Sequence, residues 1–278
     1  MTTGKAGVVV GHNGVMMVTG ASAGIGRACA DRFAAAGWTV VGASRRGSGG
    51  DGWTGLVVDV DDTESVTAGV AEVVRGHGRL DAIVPAAGFA VAGAVEHTGI
   101  DEARAEFETN FWGTARLVQA ALPHLRARRG GRIVLMSSIG GAIGLPFQAF
   151  YSASKFALEG YAESLAYEVR PFGISVTLVQ PGNAATDFTA NRRMAARAAT
   201  DDVYADALKL AIGVMERDEA NGCTADHVAA AVQRVVRARR PPRRVSVGKA
   251  GERVGLVAKR LLPFSVFEKA AKSSLGVS

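Results

Sequence analysis

The stretch VMMVTGASAGIGR, residues 15–27, is an apolar run, then a turn carrying Gly20, Gly24 and Gly26, then the start of a helix-period segment that continues to Ala36. Val15 to Val18 reads as a buried strand and Ile25 to Ala36 as a helix. Glycines at these spacings let the backbone turn tightly and come close to a pyrophosphate. The free N–H groups at the helix N-terminus favour that charge. A glycine pattern alone is a weak sign, but the strand before it and the helix after it supply the required context. Gly20, Ser22, Gly24, Ile25 and Gly26 are therefore expected to cradle the phosphates of a dinucleotide.

The same alternation continues along the chain. Thr39 to Ala43, Gly55 to Val58, Ala82 to Val84, Arg132 to Leu135 and Ile174 to Val179 are continuous Val- and Ile-rich runs, as strands covered on both faces require. Thr63 to His77, Ile100 to Arg129 and Ser152 to Pro171 have helical spacing between them. Repeated βαβ units predict an α/β fold with a doubly wound parallel sheet of the Rossmann kind, as a single domain over 1–278. Pro123 is expected to kink the third helical stretch or to start its last part. The segment GSGGDGWTG, residues 47–55, is too rich in glycine for a helix and reads as a flexible loop in place of a crossover helix. The polar, Ala-rich segment of about 184–224 follows a strand end where ligands bind and reads as a substrate lid, with a C-terminal extension over about 240–278.

Composition narrows the class. With 278 residues, 48% of them hydrophobic, the chain can bury a full core. Cys29 and Cys223 lie far apart, giving neither a disulfide framework nor zinc spacing, and a cytoplasmic, reducing setting fits. Residues 1–13 lack a long apolar segment with a cleavage site, and no run of 18 apolar residues exists, so neither secretion nor a spanning helix is expected. His12, His77, His97, His124 and His227 are scattered without ligand spacing, and no metal is expected. The net charge of +6 is concentrated toward the C-terminus, where RARRPPRR precedes VGLVAKRLLPFSVF. That order allows contact with an anionic membrane surface, or simply a solvated charge run followed by a packed helix. No nucleic-acid-reading module accompanies it.

The second strand ends in Ser44-Arg45-Arg46, about 20 residues beyond the glycine turn, where an acid would bind the ribose of NAD. A forked cation there matches a 2′-phosphate, so NADP(H) is the preferred cofactor through Arg45. Asp51, in the glycine-rich loop, keeps NAD(H) open, and a solvated loop is the plainer reading of the two arginines.

Phe150-Tyr151-Ser152-Ala153-Ser154-Lys155 opens a helix with Tyr151 and Lys155 on one face. A phenol titrates near 10, and an adjacent ammonium stabilises its anion, letting Tyr151 exchange a proton with a carbonyl or alcohol oxygen. Thirteen positions earlier, Ser137-Ser138 ends a strand; its spacing makes Ser138 the partner for the substrate oxygen and leaves Ser137 as a packing serine. Tyr-x-x-x-Lys alone is common on amphipathic helices, so the ordered set matters more than the pair. Ser138 also lies in MSSIG rather than a Gly-x-Ser-x-Gly elbow, which argues against a Ser-His-Asp hydrolase.

With TGASAGIG, Asp59-Val60, Asn110 in FETNFWG, SSIGG, YSASK and Pro181-Gly182 in this order, the chain resembles the short-chain dehydrogenase/reductase family over roughly residues 15–190. The resemblance implies an NADP(H)- or NAD(H)-dependent oxidoreductase with a tetrad of Asn110, Ser138, Tyr151 and Lys155. In it Asn110 holds a helix bend and a water that passes protons to Lys155, and Lys155 also binds the nicotinamide ribose. Asp59 and Val60 would flank the adenine, while Pro181, Gly182 and Thr186 would lie against the nicotinamide. Where the family has Asn-Asn-Ala-Gly, this chain has Pro85-Ala86-Ala87-Gly88. Ala87 and Gly88 still admit the cofactor, but Pro85 has no N–H and Ala86 no amide, so some hydrogen bonds must be replaced.

Residues 145–176 look like the branch containing 17β-hydroxysteroid and retinol dehydrogenases, which implies a small, lipophilic carbonyl or alcohol substrate against Phe89, Val91, Phe147, Phe188 and Met194. The family also implies a homodimer or homotetramer through the long helices carrying Asn110 and Tyr151. A cofactor-binding scaffold without turnover, the reading from another class, would be expected to show a broken tetrad; here the four positions are intact.

Overall fold

The computed structural model describes residues 13–199 and 203–275; the leader reading of the first twelve residues and positions 200–202 of the lid lie outside them. β1 (Val15–Thr19) runs through the turn into α1 (Gly24–Ala35), followed by β2 (Thr39–Ser44), β3 (Thr54–Val57), α2 (Thr63–His77) and β4 (Ala82–Pro85). A short β5 (Val91–Ala92) precedes α3 (Ile100–Phe107), a π-helical turn (Glu108–Trp112) and α4 (Gly113–Ala127). β6 (Gly131–Met136), α5 (Ala149–Val169) and β7 (Ile174–Pro181) complete the second half. Beyond them come β8 (Ala184–Ala185), β9 (Arg193–Met194), α6 (Ala205–Ala220), β10 (Cys223–Thr224), α7 (Ala225–Arg237), β11 (Arg244–Val247), α8 (Ala250–Leu261) and α9 (Phe264–Leu275).

Seven strands form one parallel sheet in the order β11-β7-β6-β4-β1-β2-β3, the doubly wound architecture expected. Its apolar faces are covered by two different helix sets. Val66, Val70, Leu117, Leu125, Leu165 and Val169 of α2, α4 and α5 pack on one face. Phe33, Val228, Val232 and Val236 of α1 and α7 pack on the other. Helices on both faces are why the strands read as unbroken apolar runs rather than alternating ones. The strand order reverses between β1 and β4, whose registers join Met16 to Ala82 and Thr19 to Pro85, so a crevice opens at their carboxyl ends.

Two local expectations are corrected. The stretch 100–129 is not one helix bent at Pro123: α4 passes through exposed Pro123, and the interruption is the π turn at Glu108–Trp112. The glycine-rich stretch is a closed turn rather than a free loop. Gly50 and Trp53 pair across it, and the buried Trp53 indole donates from Nε1 to Asp31 Oδ1 at 2.6 Å, so one aromatic ring anchors a segment whose glycines suggested mobility. At Pro85-Ala86 the remaining backbone donor, the Ala86 N–H, bonds to Thr19 Oγ1 at 3.2 Å.

Candidate active site

The crevice holds a cavity of about 700 Å³. Its floor is the turn between β1 and α1. Gly20 has φ +68°, and a Cβ there would lie 2.8 Å from the Ala87 nitrogen; at Gly26 it would lie 2.4 Å from the Gly20 carbonyl oxygen. Ala23 caps α1 without a side-chain hydrogen bond, and Gly24, Ile25 and Gly26 at the start of the helix line the cavity. Positive φ, close backbone approach and an uncapped helix start are what a pyrophosphate requires, and the residues present fit a dinucleotide.

Every cofactor position expected from sequence lines this one cavity: Gly20, Ser22, Gly24, Ile25, Gly26, Arg45, Asp59, Val60, Ala87, Gly88, Tyr151, Lys155, Pro181, Gly182 and Thr186. Arg45 and Arg46 lie at the end bounded by β2 and β3. Asp51, the residue that kept NAD open, does not line the cavity; Asp59 and Asp61 do, as do Asp187, Asp218 and Glu219. Asp61 was not singled out in sequence. Its carboxyl accepts from Thr109 Oγ1 at 3.0 Å and is pushed above the usual carboxylate range, chiefly by burial.

At the other end, α5 brings Tyr151 and Lys155 against Ser138 at the end of β6. All three are nearly buried. Lys155 Nζ donates to the Met136 carbonyl at 3.1 Å and stands 5.7 Å from the centre of the Tyr151 ring. Ser138 Oγ accepts from the Gly140 N–H at 3.0 Å and Ser137 turns to Glu159 Oε1 at 2.6 Å, so the two serines part as their spacing suggested. Asn110 does not line the cavity. It is fully buried in the π turn, where it donates to the Phe89 carbonyl at 2.9 Å and accepts from the Phe89 N–H at 3.0 Å. Gly88 separates it from Lys155: a Cβ there would lie 2.8 Å from Asn110 Oδ1 and 3.8 Å from Lys155 Nζ.

The electrostatics correct a simple expectation. Without a ligand, the Tyr151 phenol is not lowered but pushed up to about 12 by burial, with hydrogen bonding to Ser138 working against the rise. Burial likewise pushes Lys155 down to about 8, and Glu106 opposes that. Desolvation disfavours the charged form of each group, and in this state it outweighs the attraction that sequence spacing implied.

The proposed substrate wall is only partly right. Phe89 and Phe188 line the cavity, the Phe188 ring 5.6 Å from that of Tyr151. Val91, buried in β5, and Met194, exposed in β9, do not line it. Phe147 instead packs with Leu208, Ile212 and Met215 of α6. Leu145, Val214 and Met215 supply the remaining apolar wall. Val214 and Met215 come from α6 and carry no motif. Among the described residues no cluster of His, Cys, Asp or Glu is placed to hold a metal ion.

The sheet, the glycine turn and the Ser-Tyr-Lys cluster define a nucleotide-dependent oxidoreductase. The short chain dehydrogenase family profile matches residues 14–197. The chain belongs to that family and is an NAD(P)-dependent oxidoreductase. Among its relatives is a 3-ketodihydrosphingosine reductase of Bacteroides thetaiotaomicron, 39% identical over 259 residues that cover 93% of this chain and 96% of the relative. Human 17-beta-hydroxysteroid dehydrogenase type 1 is 42% identical over 133 residues, 48% of this chain and 40% of that one, in line with the branch its sequence resembles. A solved short-chain dehydrogenase from Streptomyces avermitilis superposes with a TM-score of 0.79 at 30% identity, covering 96% of this chain and 99% of the other.

Proposed function

We propose that the chain is an NADP(H)-dependent reductase of a lipophilic ketone, with Tyr151 as the group that gives the carbonyl oxygen its proton. The observation that carries this reading is the meeting of Ser138, Tyr151 and Lys155 at one end of a single cavity that has Arg45 and Arg46 at the other. Bound NADPH supplies the hydride. Ser138 and Tyr151 orient the carbonyl oxygen, and Lys155 biases Tyr151 toward its anion once the proton has left. Leu145, Phe188, Val214 and Met215 offer an apolar wall beside that point. Kinship with the Bacteroides thetaiotaomicron enzyme over nearly the whole of both chains supports 3-ketodihydrosphingosine as the substrate to try first. The test is NADPH oxidation with that ketone against short-chain ketones: strong preference for the long chain is expected, and equal rates with acetone-sized ketones overturn the substrate reading.

The cofactor preference rests on Arg45. Arg45→Ala is expected to weaken NADPH binding about 10- to 100-fold, the value of one or two charge-assisted hydrogen bonds, and to leave NADH within about twofold. Fluorescence titration with both nucleotides decides, and equal weakening of the two would remove the 2′-phosphate from the argument.

The same reading includes contact with an anionic membrane surface. No helix among the described residues is long and apolar enough to cross a membrane. Val254, Val257 and Leu261, on one face of α8, are exposed, as are Leu262 just after it and Phe264 and Val266 at the start of α9. Exposed Lys249, Arg253, Arg260 and Lys269 surround them. The basic surround favours anionic lipid over a second copy of a chain carrying +6. Co-sedimentation with phosphatidylglycerol-containing vesicles, absent with pure phosphatidylcholine, reversed by 0.5 M salt and lost in Phe264→Asp, is the expected result. A dimer split by that substitution would instead make this face a contact between copies. Assembly through α4 and α5 is a separate part of the reading, supported by exposed Trp112 and Tyr167 beside and on those helices.

A further inference from the structure

Glu106 is a glutamate that the family motifs do not account for. It sits in the last turn of α3, four residues before Asn110, and is 0% exposed. Its Oε1 accepts from the Val91 N–H at 3.3 Å, and its buried Oε2 has no partner. A carboxylate so placed costs several kcal/mol unless an opposite charge compensates it. The compensating charge is at hand. Lys155 is 6% exposed and donates to the Met136 carbonyl, and among the described residues Glu106 is the one charge acting on it appreciably. Conversely, Lys155 is the one charged side chain among them acting appreciably on Glu106. Tyr151, whose ring centre is 5.7 Å from Lys155 Nζ, also feels Glu106, together with Glu219 and Arg192, and the neutral Asn110 and Ser154 beside the pair are themselves joined at 3.2 Å. Of the two other acids in α3, Glu102 is turned onto the Gly99 and Ala196 N–H groups and exposed Asp101 pairs with Arg104.

We propose that Glu106 is the counter-charge of Lys155, a positioning residue that keeps the ammonium charged in its buried place so that it can act on Tyr151. The inference rests on the acid–base reading of Tyr151. Lys155 lines the cavity and Glu106 does not, and the two make no direct ion pair among the described residues, so Glu106 sustains the charge without occupying the cavity. Its own carboxyl is pushed up to about 7 by burial and is ionised above that pH, where Lys155, lowered to about 8, is at risk of losing its proton. The support is therefore present in the range where it matters.

A plainer role for Glu106 is also visible. Asn110 clamps the backbone of Phe89 while Glu106 clamps that of Val91, one helical turn apart. Glu106→Gln separates the two roles, because the amide oxygen still accepts from Val91 while the charge is gone. Reductase kcat is measured from pH 6 to pH 9.5 with saturating NADPH and ketone. The alkaline limb of the variant is expected to move about one pH unit lower. That gives about a tenfold loss at pH 8.5 with kcat at pH 6 within about threefold of wild type, and a KM little changed. Glu106→Asp, which keeps a carboxylate one methylene further back, should move the limb by a smaller step in the same direction; it decides the matter if the Gln variant does not fold. A limb that stays in place in these variants, or a loss equal at all pH values, overturns the proposal and leaves the clamp. Tyr151→Phe, run alongside, keeps the failures apart: full turnover there defeats the acid–base reading itself, whereas its loss with an unmoved limb defeats only the role of Glu106.

Discussion

Tyr151→Phe is expected to lower turnover about 10³-fold, within the range typical of a lost general acid, while NADPH binding stays within about threefold of wild type. The hydroxyl is the only atom removed, and the ring keeps its packing against Phe188 at 5.6 Å and under Lys155 at 5.7 Å. The variant loses a buried hydroxyl together with its hydrogen bond to Ser138, so its thermal midpoint should stay within a few degrees of wild type, the effect of about 1 kcal/mol. Single-turnover mixing with NADPH and ketone checks the first expectation and a melting curve the second. A variant retaining a tenth or more of the wild-type kcat would move the proton donor elsewhere, to Ser138 or to water.

Gly26→Ala carries the other large effect. The new methyl would lie 2.4 Å from the Gly20 carbonyl oxygen, 2.7 Å from its carbon and 3.0 Å from the Thr19 oxygen. All three atoms are backbone, so no side chain can swing aside and the turn itself must open. Overpacking of this kind costs about 3 kcal/mol, or roughly 6–12 °C in melting temperature for a chain of this size. Opening the turn also spreads the N–H groups that meet the pyrophosphate, and nucleotide affinity is expected to fall at least about 100-fold. Gly76→Ala is the control: nothing lies within 4 Å of its Cβ position in α2, and removing a helical glycine should stabilise by about 0.5–1 kcal/mol with unchanged nucleotide binding. Equal behaviour of the two variants would mean that helix propensity, not the close approach at Gly20, governs the site.

Much of this protein is written in short-range patterns. Unbroken Val- and Ile-rich runs report strands covered on both faces, the glycine spacing reports the turn, and Tyr151 and Lys155 share a helix face because they are four residues apart. The cofactor positions were legible for the same reason: each lies at a strand end or a helix start, and the sheet brings those ends together along one edge. The departures arose where distant segments meet. Nothing near Gly47–Gly55 announces that Trp53 will be held by Asp31, 22 residues back, and no periodicity places α6 over the cavity so that Val214 and Met215 replace Val91 and Met194 as its wall. Glu106 looks like one more acid on a polar helix until α3 packs against α5 and removes it from water.

The sequence by itself determined the layered sheet, the dinucleotide turn and the identity of Ser138, Tyr151 and Lys155, since each depends on spacings of a few residues. Only the tertiary structure decided the interruption at Glu108–Trp112, the walls of the substrate end, the burial of Glu106 and the direction in which Tyr151 and Lys155 titrate. Those depend on how completely water is excluded and on which charges remain when it is, and both are set by segments far apart in the chain.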